Sequence, residues 1–405
     1  MPTPRIERDC VIAGGGPAGM VLGYLLARAG LRVSVLERHA DFFRDFRGDT
    51  IHPSTVGLLG ELGLRERFLE LPLTRLDALD AVVDRERFTL VDFRTLPPPD
   101  DFLVLAPQWD FLDFLAAEGA AFPGFDLRMS TRAEQLIVEG DRVRGVRAEG
   151  PDGALEVRAA LTVAADGRSS DMRRAAGLVP VETGVPIDVL WFRLPKPADP
   201  PPPTLAYLSA RGMVLTIDRG DYYQAGMVIA KGAFEELRGE GLGAFRRRIV
   251  AAAPHLEPVV GTLEDWDGVK LLSVQLDHLE RWHRPGFVAI GDAAHAMSPM
   301  FGVGVNYAVQ DAVALSRAVA AHLAEGRDPD QGLAALQARR EPPVRRMQRL
   351  QRMGHRVVGR SPRGDRAAPR WVVVLLRALS PVLRRLAARL IGIGFRPEHV
   401  QEPRG

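Results

Sequence analysis

The chain opens on an unbroken apolar run, Cys10-Val11-Ile12-Ala13, followed by glycines and a largely apolar stretch, Met20–Ala29, closed by Gly30. The run predicts a strand buried on both faces, and the stretch predicts a helix stopped by glycine. Leu31–Leu36 predicts a second buried strand ending in Glu37, so the start of the chain reads as a βαβ unit. Further on, Pro53–Leu62 predicts a helix ending at Gly63, and Leu76–Leu96 alternates as a two-stranded excursion closed by Pro97-Pro98-Pro99. Asp110–Glu118 predicts a helix, and Gln135–Val163 predicts three short strands with turns at Gly140-Asp141 and Asp152-Gly153.

From about 181 to 274 the pattern turns strand-rich, with a proline-rich break at Pro195–Pro203, and predicts a separate sheet. Trp282–Ile290 returns to a buried strand, and Tyr307–Ala324 predicts a long helix. Beyond about 340 the chain reads as helical and arginine-rich. Ser380 and Pro381 make an N-cap and N1 pair, which predicts two short helices between 371 and 395 rather than one. Arg377, Arg384, Arg385 and Arg389 interrupt the apolar residues there. Such a pattern suits a basic amphipathic helix on a membrane or quinone-rich surface, or a helix packed over the protein or at a dimer contact. The packed reading is preferred, and the chain is expected to be a monomer or homodimer.

With 405 residues, 46% of them hydrophobic, there is material for two or three domains with a sizeable core. The formal charge of +2, from 53 basic and 51 acidic residues, leaves no electrostatic footprint for nucleic acid. Only three basic residues are lysines, which fits coding bias in a GC-rich genome. The single cysteine, Cys10, excludes a disulfide framework within the chain and fits a buried strand thiol. The N-terminus lacks an apolar signal-peptide core, and no uncharged apolar run reaches the roughly 18 residues of a membrane span. The expectation is a cytoplasmic protein. No metal is expected, because the nine histidines show no ligand spacing, and no Gly-x-Ser-x-Gly elbow occurs.

Three segments carry chemistry. The first is Gly14-x-Gly16-x-x-Gly19, between the first strand and helix, with Glu37 ending the next strand about 20 residues on. Gly14 permits a tight turn and Gly16 lets backbone approach a pyrophosphate. Gly19 lets helix and strand pack closely, and the helix N-terminus favours negative charge. Glu37 is placed to accept hydrogen bonds from a ribose. The second is Asp166-Gly167-Arg168-Ser169-Ser170 after the strand Leu161–Ala165, with Arg173 and Arg174 following. The third is Gly291-Asp292-Ala293-Ala294-His295, then Pro299 and Gly302-Val303-Gly304-Val305-Asn306, opening the long helix. A helix N-terminus there suits a flavin edge that becomes negative on reduction. Three nucleotide-type segments far apart in one chain point to one extended cofactor gripped in three places, and FAD has that length.

In this order, together with Arg47-Gly48-Asp49-Thr50 and Gln108-Trp109 before their helices, the segments resemble the class A FAD-dependent monooxygenases, the fold of para-hydroxybenzoate hydroxylase, over roughly residues 9–330. The resemblance implies an α/β fold: a Rossmann-like FAD-binding domain of the GR2 type with an inserted, mostly antiparallel β-sheet substrate domain and a C-terminal helical segment. The FAD domain would comprise 1–75, 101–180 and 275–340. The substrate domain would comprise 76–100 and 181–274, and the helical region 341–405. Gly14, Gly16, Pro17, Ala18, Gly19, Glu37 and Arg38 would hold the adenosine half of FAD, and Arg47 and Gln108 the pyrophosphate and ribityl region. Asp166, Gly291, Asp292, Gly304, Val305 and Asn306 would complete the cofactor site, with Asp166 also serving the nicotinamide nucleotide. Arg47, Pro299, Gly302, Val303 and Gly304 would surround the flavin ring.

No side chain is implied as catalytic. NAD(P)H would reduce FAD, O2 would add at flavin C4a, and one oxygen would hydroxylate or epoxidise a hydrophobic, aromatic or polycyclic small molecule, in secondary metabolism. No second glycine fingerprint for NAD(P)H occurs, as the resemblance implies. The same fold also carries double-bond reductases, and could scaffold a non-redox cyclase. Substrate candidates on the second sheet are Trp191, Arg193, Met213, Tyr222, Tyr223 and Gln224, with Tyr207, Leu215 and Met227 beside them. Alternation puts Tyr222 and Gln224 on one face and Tyr223 on the other, without choosing which tyrosine meets substrate. His52 and His295 read as satisfied structural histidines rather than bases.

Overall fold

The computed structural model describes residues 3–43, 50–84, 86–202, 204–358 and 370–400. Arg5–Ala13 is the central strand of an eight-stranded sheet, paired in parallel with Val33–Leu36 on one side and Gly153–Ala164 on the other. Phe125–Arg128 and Phe287–Ala289 extend it in parallel, while Arg142–Gly150 pairs antiparallel with Gly153–Ala164 and Arg132–Glu139 pairs antiparallel with Arg142–Gly150. Cys10, Val11 and Ile12 are wholly buried because helices cover the sheet, as an unbroken apolar strand requires. The helix Pro17–Arg28 lies against both Gln108–Gly119 and Gly304–Ala324.

A second, seven-stranded sheet runs in the order Lys270–Leu272, Ile187–Pro195, Tyr222–Ala230, Gly212–Asp218, Ala206–Ser209, Ala78–Val83, Glu86–Asp92. It is antiparallel except between Ala206–Ser209 and Ala78–Val83. The excursion after residue 76 thus forms one margin of a sheet whose other strands come a hundred residues later. One face packs under two helices, Phe234–Gly239 and Leu242–Ala252. The strand-rich expectation for 181–274 holds for the sheet and does not include these two helices. Phe245, Ile249 and Ala252 make a buried helical stripe, which the adjacent Arg246-Arg247-Arg248 obscures in sequence.

Two helix boundaries also differ from expectation. The long helix spans Gly304–Ala324, starting a turn before Tyr307. The C-terminal region forms one helix, Arg370–Ala388, that runs through Pro381, instead of two. Pro381 and Arg377 are both exposed, so water can satisfy the carbonyl that proline leaves unbonded. The helix packs on the second sheet, as the packed reading anticipates: Ala388 and Ile391 join Val91, Phe93, Leu96, Leu103 and Leu105 in one apolar cluster. A five-residue π turn, Arg389–Ile393, ends it. Among the described residues no helix is long and apolar enough to cross a membrane.

Under the helical cover of the second sheet, the His255 ring stacks at 4.3 Å on Tyr207. Burial pushes its pKa down from 6.5 to about 4. The unfolded chain therefore binds a proton between those values that the folded chain does not, so stability is full above pH 6.5 and falls as pH drops toward 4. His255→Phe is expected to flatten the dependence of melting temperature on pH in that window, removing on the order of 2 kcal/mol of acid destabilisation. An unchanged slope by calorimetry would contradict this assignment.

Candidate active site

The three motif segments converge at the C-terminal ends of the parallel strands. Gly14 has φ +108°, and a Cβ added there would lie 2.4 Å from the Ala165 carbonyl oxygen, so only glycine lets the first turn touch the second. Gly19 packs as closely on the Gly14 carbonyl. Gly291 sits between Ala18 and Ala308, joining the Pro17–Arg28 helix to the Gly304–Ala324 helix. Arg168 Nη2 is 3.4 Å from Asp292 Oδ2, and buried Arg173 donates to the carbonyls of Arg168 and Ala293, so the second motif is bonded to the third.

Gly16 N-caps Pro17–Arg28, and Gly304 begins the long helix; neither helix start has a side-chain cap. A Cβ on either glycine would meet nothing within 4 Å. Two sets of free backbone N–H groups thus face open space and favour negative charge. A pyrophosphate at the first and the electron-rich edge of a reduced flavin at the second are groups that fit, so the residues present suit FAD.

The other cofactor candidates are arranged around these two ends. Glu37 is buried and accepts from Gly15 N–H (2.9 Å) and His39 N–H (3.1 Å), which fixes the glycine turn. Arg38 is exposed, its Nε 3.0 Å from His39 Nε2. Pro17 is half-buried and Ala18 buried; Gln108 is half-buried at the start of its helix. Asp166 accepts from Ser170 Oγ and from Met172 N–H (3.1 Å), and burial pushes its pKa up against those bonds. Its carboxylate therefore also caps the Asp171–Ala175 helix. Arg47 and the Gly48-Asp49 beside it lie outside the described residues.

At the flavin-side loop Pro299 is exposed, Val303 and Val305 are buried, and Phe301 and Gly302 both have positive φ. The Gly302 carbonyl accepts from Thr50 Oγ1 at 2.8 Å and lies 2.9 Å from His52 Nε2. Burial pushes the His52 pKa down to about 4, which keeps the ring neutral at pH 7. Asn306 Oδ1 accepts from Ser54 and Thr55, so the Pro53–Glu61 helix clamps the start of the long one. His295 Nε2 lies 2.5 Å from Asp311 Oδ2, both fully buried. Both histidines thus stand in structural roles. Ser54, Thr55 and Asp311 are not singled out by the sequence, and Thr50 figures there only as the end of the Arg47 segment. Hydroxyls before a helix are common, and a single acid in an apolar helix is the only local signal for Asp311.

The two faces of the second sheet are unequal. Tyr207, Val214, Tyr223 and Met227 point into the core under Leu242–Ala252. Trp191, Leu215 and Ile217 lie on the opposite face, and Ile217 and Phe301 share one apolar cluster, so that face is turned toward the Pro299–Gly304 loop. Register pairs Arg193 with Gln224 and Met213 with Val228 on this same face. Arg193 is exposed at the margin, 4.2 Å above the Tyr222 ring, while Gln224 is buried and accepts from Arg219 (3.3 Å). Tyr222 thus shares the loop-facing side, and Tyr223, Tyr207 and Met227 do not.

Comparison with known proteins bears on this geometry. The family profile described as an FAD binding domain matches residues 7–351. The chain is 34% identical over 396 residues to 6-methylpretetramide 4-monooxygenase of Streptomyces rimosus, covering 95% of this chain and 93% of that protein. It is 28% identical over 321 residues to digeranylgeranylglycerophospholipid reductase 1 of Methanopyrus kandleri, covering 75% and 78%. Among solved structures, OxyS anhydrotetracycline hydroxylase from Streptomyces rimosus superposes with a TM-score of 0.78 at 24% identity, covering 98% of this chain and 78% of that one. With the FAD binding domain profile matched over residues 7–351 and a near full-length likeness to a monooxygenase, the chain belongs to the class A FAD-dependent monooxygenases.

Proposed function

We propose that this FAD-dependent monooxygenase hydroxylates a fused-ring aromatic substrate held between the second sheet and the Pro299–Gly304 loop. The observation that carries the reading is the apolar face of the sheet on the side of that loop, where half-buried Leu215 and Ile217 stand beside buried Trp191. The names of two relatives, which act on 6-methylpretetramide and anhydrotetracycline, support the substrate class. In this reading residues 1–75, 101–180 and 275–340 hold FAD, while 76–100 and 181–274 cover the substrate.

FAD, when bound, supplies the redox chemistry, with NAD(P)H as electron donor and O2 as oxygen source. The chain's own residues bind and orient. Gly16 and the free N–H groups behind it receive the pyrophosphate, and Asp292, held by Arg168, receives hydroxyls of the linking chain. The start of the Gly304–Ala324 helix stabilises negative charge on the ring. Gln224, held by Arg219, offers its amide to a substrate oxygen, and the apolar wall excludes water.

Purified protein should show an oxidised-flavin spectrum, and fused-ring phenols should stimulate matched NAD(P)H and O2 consumption with a product heavier by one oxygen. NAD(P)H consumption with substrate reduction and no O2 uptake would replace this reading with the reductase chemistry of the Methanopyrus relative. Gly16→Asp should fold normally yet weaken FAD affinity by about a hundredfold, since it sets a carboxylate against the pyrophosphate. Gly14→Ala should instead lower the melting temperature, because its Cβ meets backbone. Tyr222→Ala should raise KM about tenfold with FAD content unchanged. Tyr223→Ala should cost about 3 kcal/mol of stability and leave KM near its original value.

A further inference from the structure

Among the described residues, the Arg370–Ala388 helix is anchored along one side. Ala388 is buried, and half-buried Arg384 approaches Asp92 of the second sheet, Nε to Oδ2 at 3.9 Å. On its other side Leu379, Val382, Leu383 and Leu386 stand in water, 45%, 66%, 39% and 54% exposed. Their spacing of i, i+3, i+4 and i+7 is that of one continuous helical stripe. The other exposed large apolar side chains are scattered over separate elements. Exposed Arg385 and Arg389 follow one border of the stripe, given the roughly 100° per residue of a helix.

Charge is unevenly spread along the chain. Residues 342–397 contain fourteen arginines, no lysine and a single acidic residue, Asp365, whereas the whole chain carries only +2. The rest of the chain is therefore net negative, and the helix that bears the stripe carries Arg377, Arg384 and Arg385, with Arg389 just beyond it. A second copy of the chain would bring the same positive charge to the stripe and be repelled. An anionic lipid surface complements both features at once: acyl chains take up the leucines and valine, and headgroups pair with the arginines.

We propose that the face of the Arg370–Ala388 helix bearing Leu379, Val382, Leu383 and Leu386 lies in the headgroup layer of an anionic phospholipid bilayer, holding the enzyme at the membrane without spanning it. This assignment is independent of the reaction catalysed.

Flotation of the full-length, FAD-loaded protein with vesicles tests it. The protein should float with phosphatidylcholine vesicles containing phosphatidylglycerol, and stay behind with phosphatidylcholine alone. The double variant Val382→Glu/Leu386→Glu should partition about tenfold or more weakly, and Arg385→Gln/Arg389→Gln should fall furthest below the unaltered protein at low salt, the gap narrowing as salt screens the charges. All four sites are exposed, and the flavin spectrum and melting temperature check that each variant is folded. No binding to the anionic vesicles at low salt would overturn the proposal, as would equal binding to phosphatidylcholine. Undiminished binding by the Val382→Glu/Leu386→Glu variant would remove the helix from it. A dimer abolished by that variant, with no vesicle binding, would give the stripe to a second copy.

Discussion

Asp311 sits wholly buried on the long helix and is engaged from three directions. Gly291 N–H donates to it at 3.1 Å, Arg340 Nε donates at 2.9 Å, and His295 Nε2 lies at 2.5 Å. Burial alone would push its carboxyl up, but His295 and Arg340 hold it below the usual carboxylate range. Arg340 also reaches Glu398, which binds Arg317 (2.6 Å) and Arg339 (2.7 Å). Two carboxylates joined through Arg340 thus make the ties: Asp311 holds the Gly291-Asp292 turn and Asp330–Val358 to the long helix, and Glu398 holds both helices to the C-terminal tail. A buried charge cluster of this kind adds little net stability over an apolar core, yet losing one partner strands a charge at a cost of about 3–5 kcal/mol. It acts as a register pin that sets where the long helix starts, and so where its free N–H groups face.

Around that pin the two sheets divide the work. The parallel sheet is buried on both faces, and its strands end where the three glycine-containing turns touch, so the junction of the three turns is made largely of backbone. Backbone sites demand close approach, which is why Gly14, Gly19 and Gly291 meet neighbouring atoms that leave no room for a side chain. The second sheet has one face sealed by Phe234–Gly239 and Leu242–Ala252 and the other turned toward the loop and the end of the C-terminal helix. Residues on the loop-facing side can change without disturbing the core under Leu242–Ala252, so substrate preference can vary on an unchanged fold.

The C-terminal helix obeys the same logic of unequal faces. Its inner side completes the apolar cluster of Val91, Phe93 and Leu103, and its outer side keeps an apolar stripe that this packing never uses. Pro381 is tolerated within it because the carbonyl left free lies on the exposed part of the helix.

Much of this was legible in the chain itself. Local chemistry determines the βαβ start, the glycine turns and the acid at Glu37, because a strand, a tight turn and a helix N-terminus each need particular residues within a few positions. The order of the three motifs likewise declares the cofactor class. What neighbours in space decide was not legible. The side of the sheet on which Tyr222 and Tyr223 fall is fixed by alternation, but which side is open depends on the Leu242–Ala252 helix, whose stripe is hidden among arginines. Thr50 and His52 matter only because the chain brings them to the Gly302 carbonyl, 250 residues away. Ser380-Pro381 carries a true helix-start signal, and packing on the second sheet overrode it. Short-range geometry is written in residue type and spacing, whereas burial, pairing and exposure belong to contacts that exist only once the chain has closed on itself.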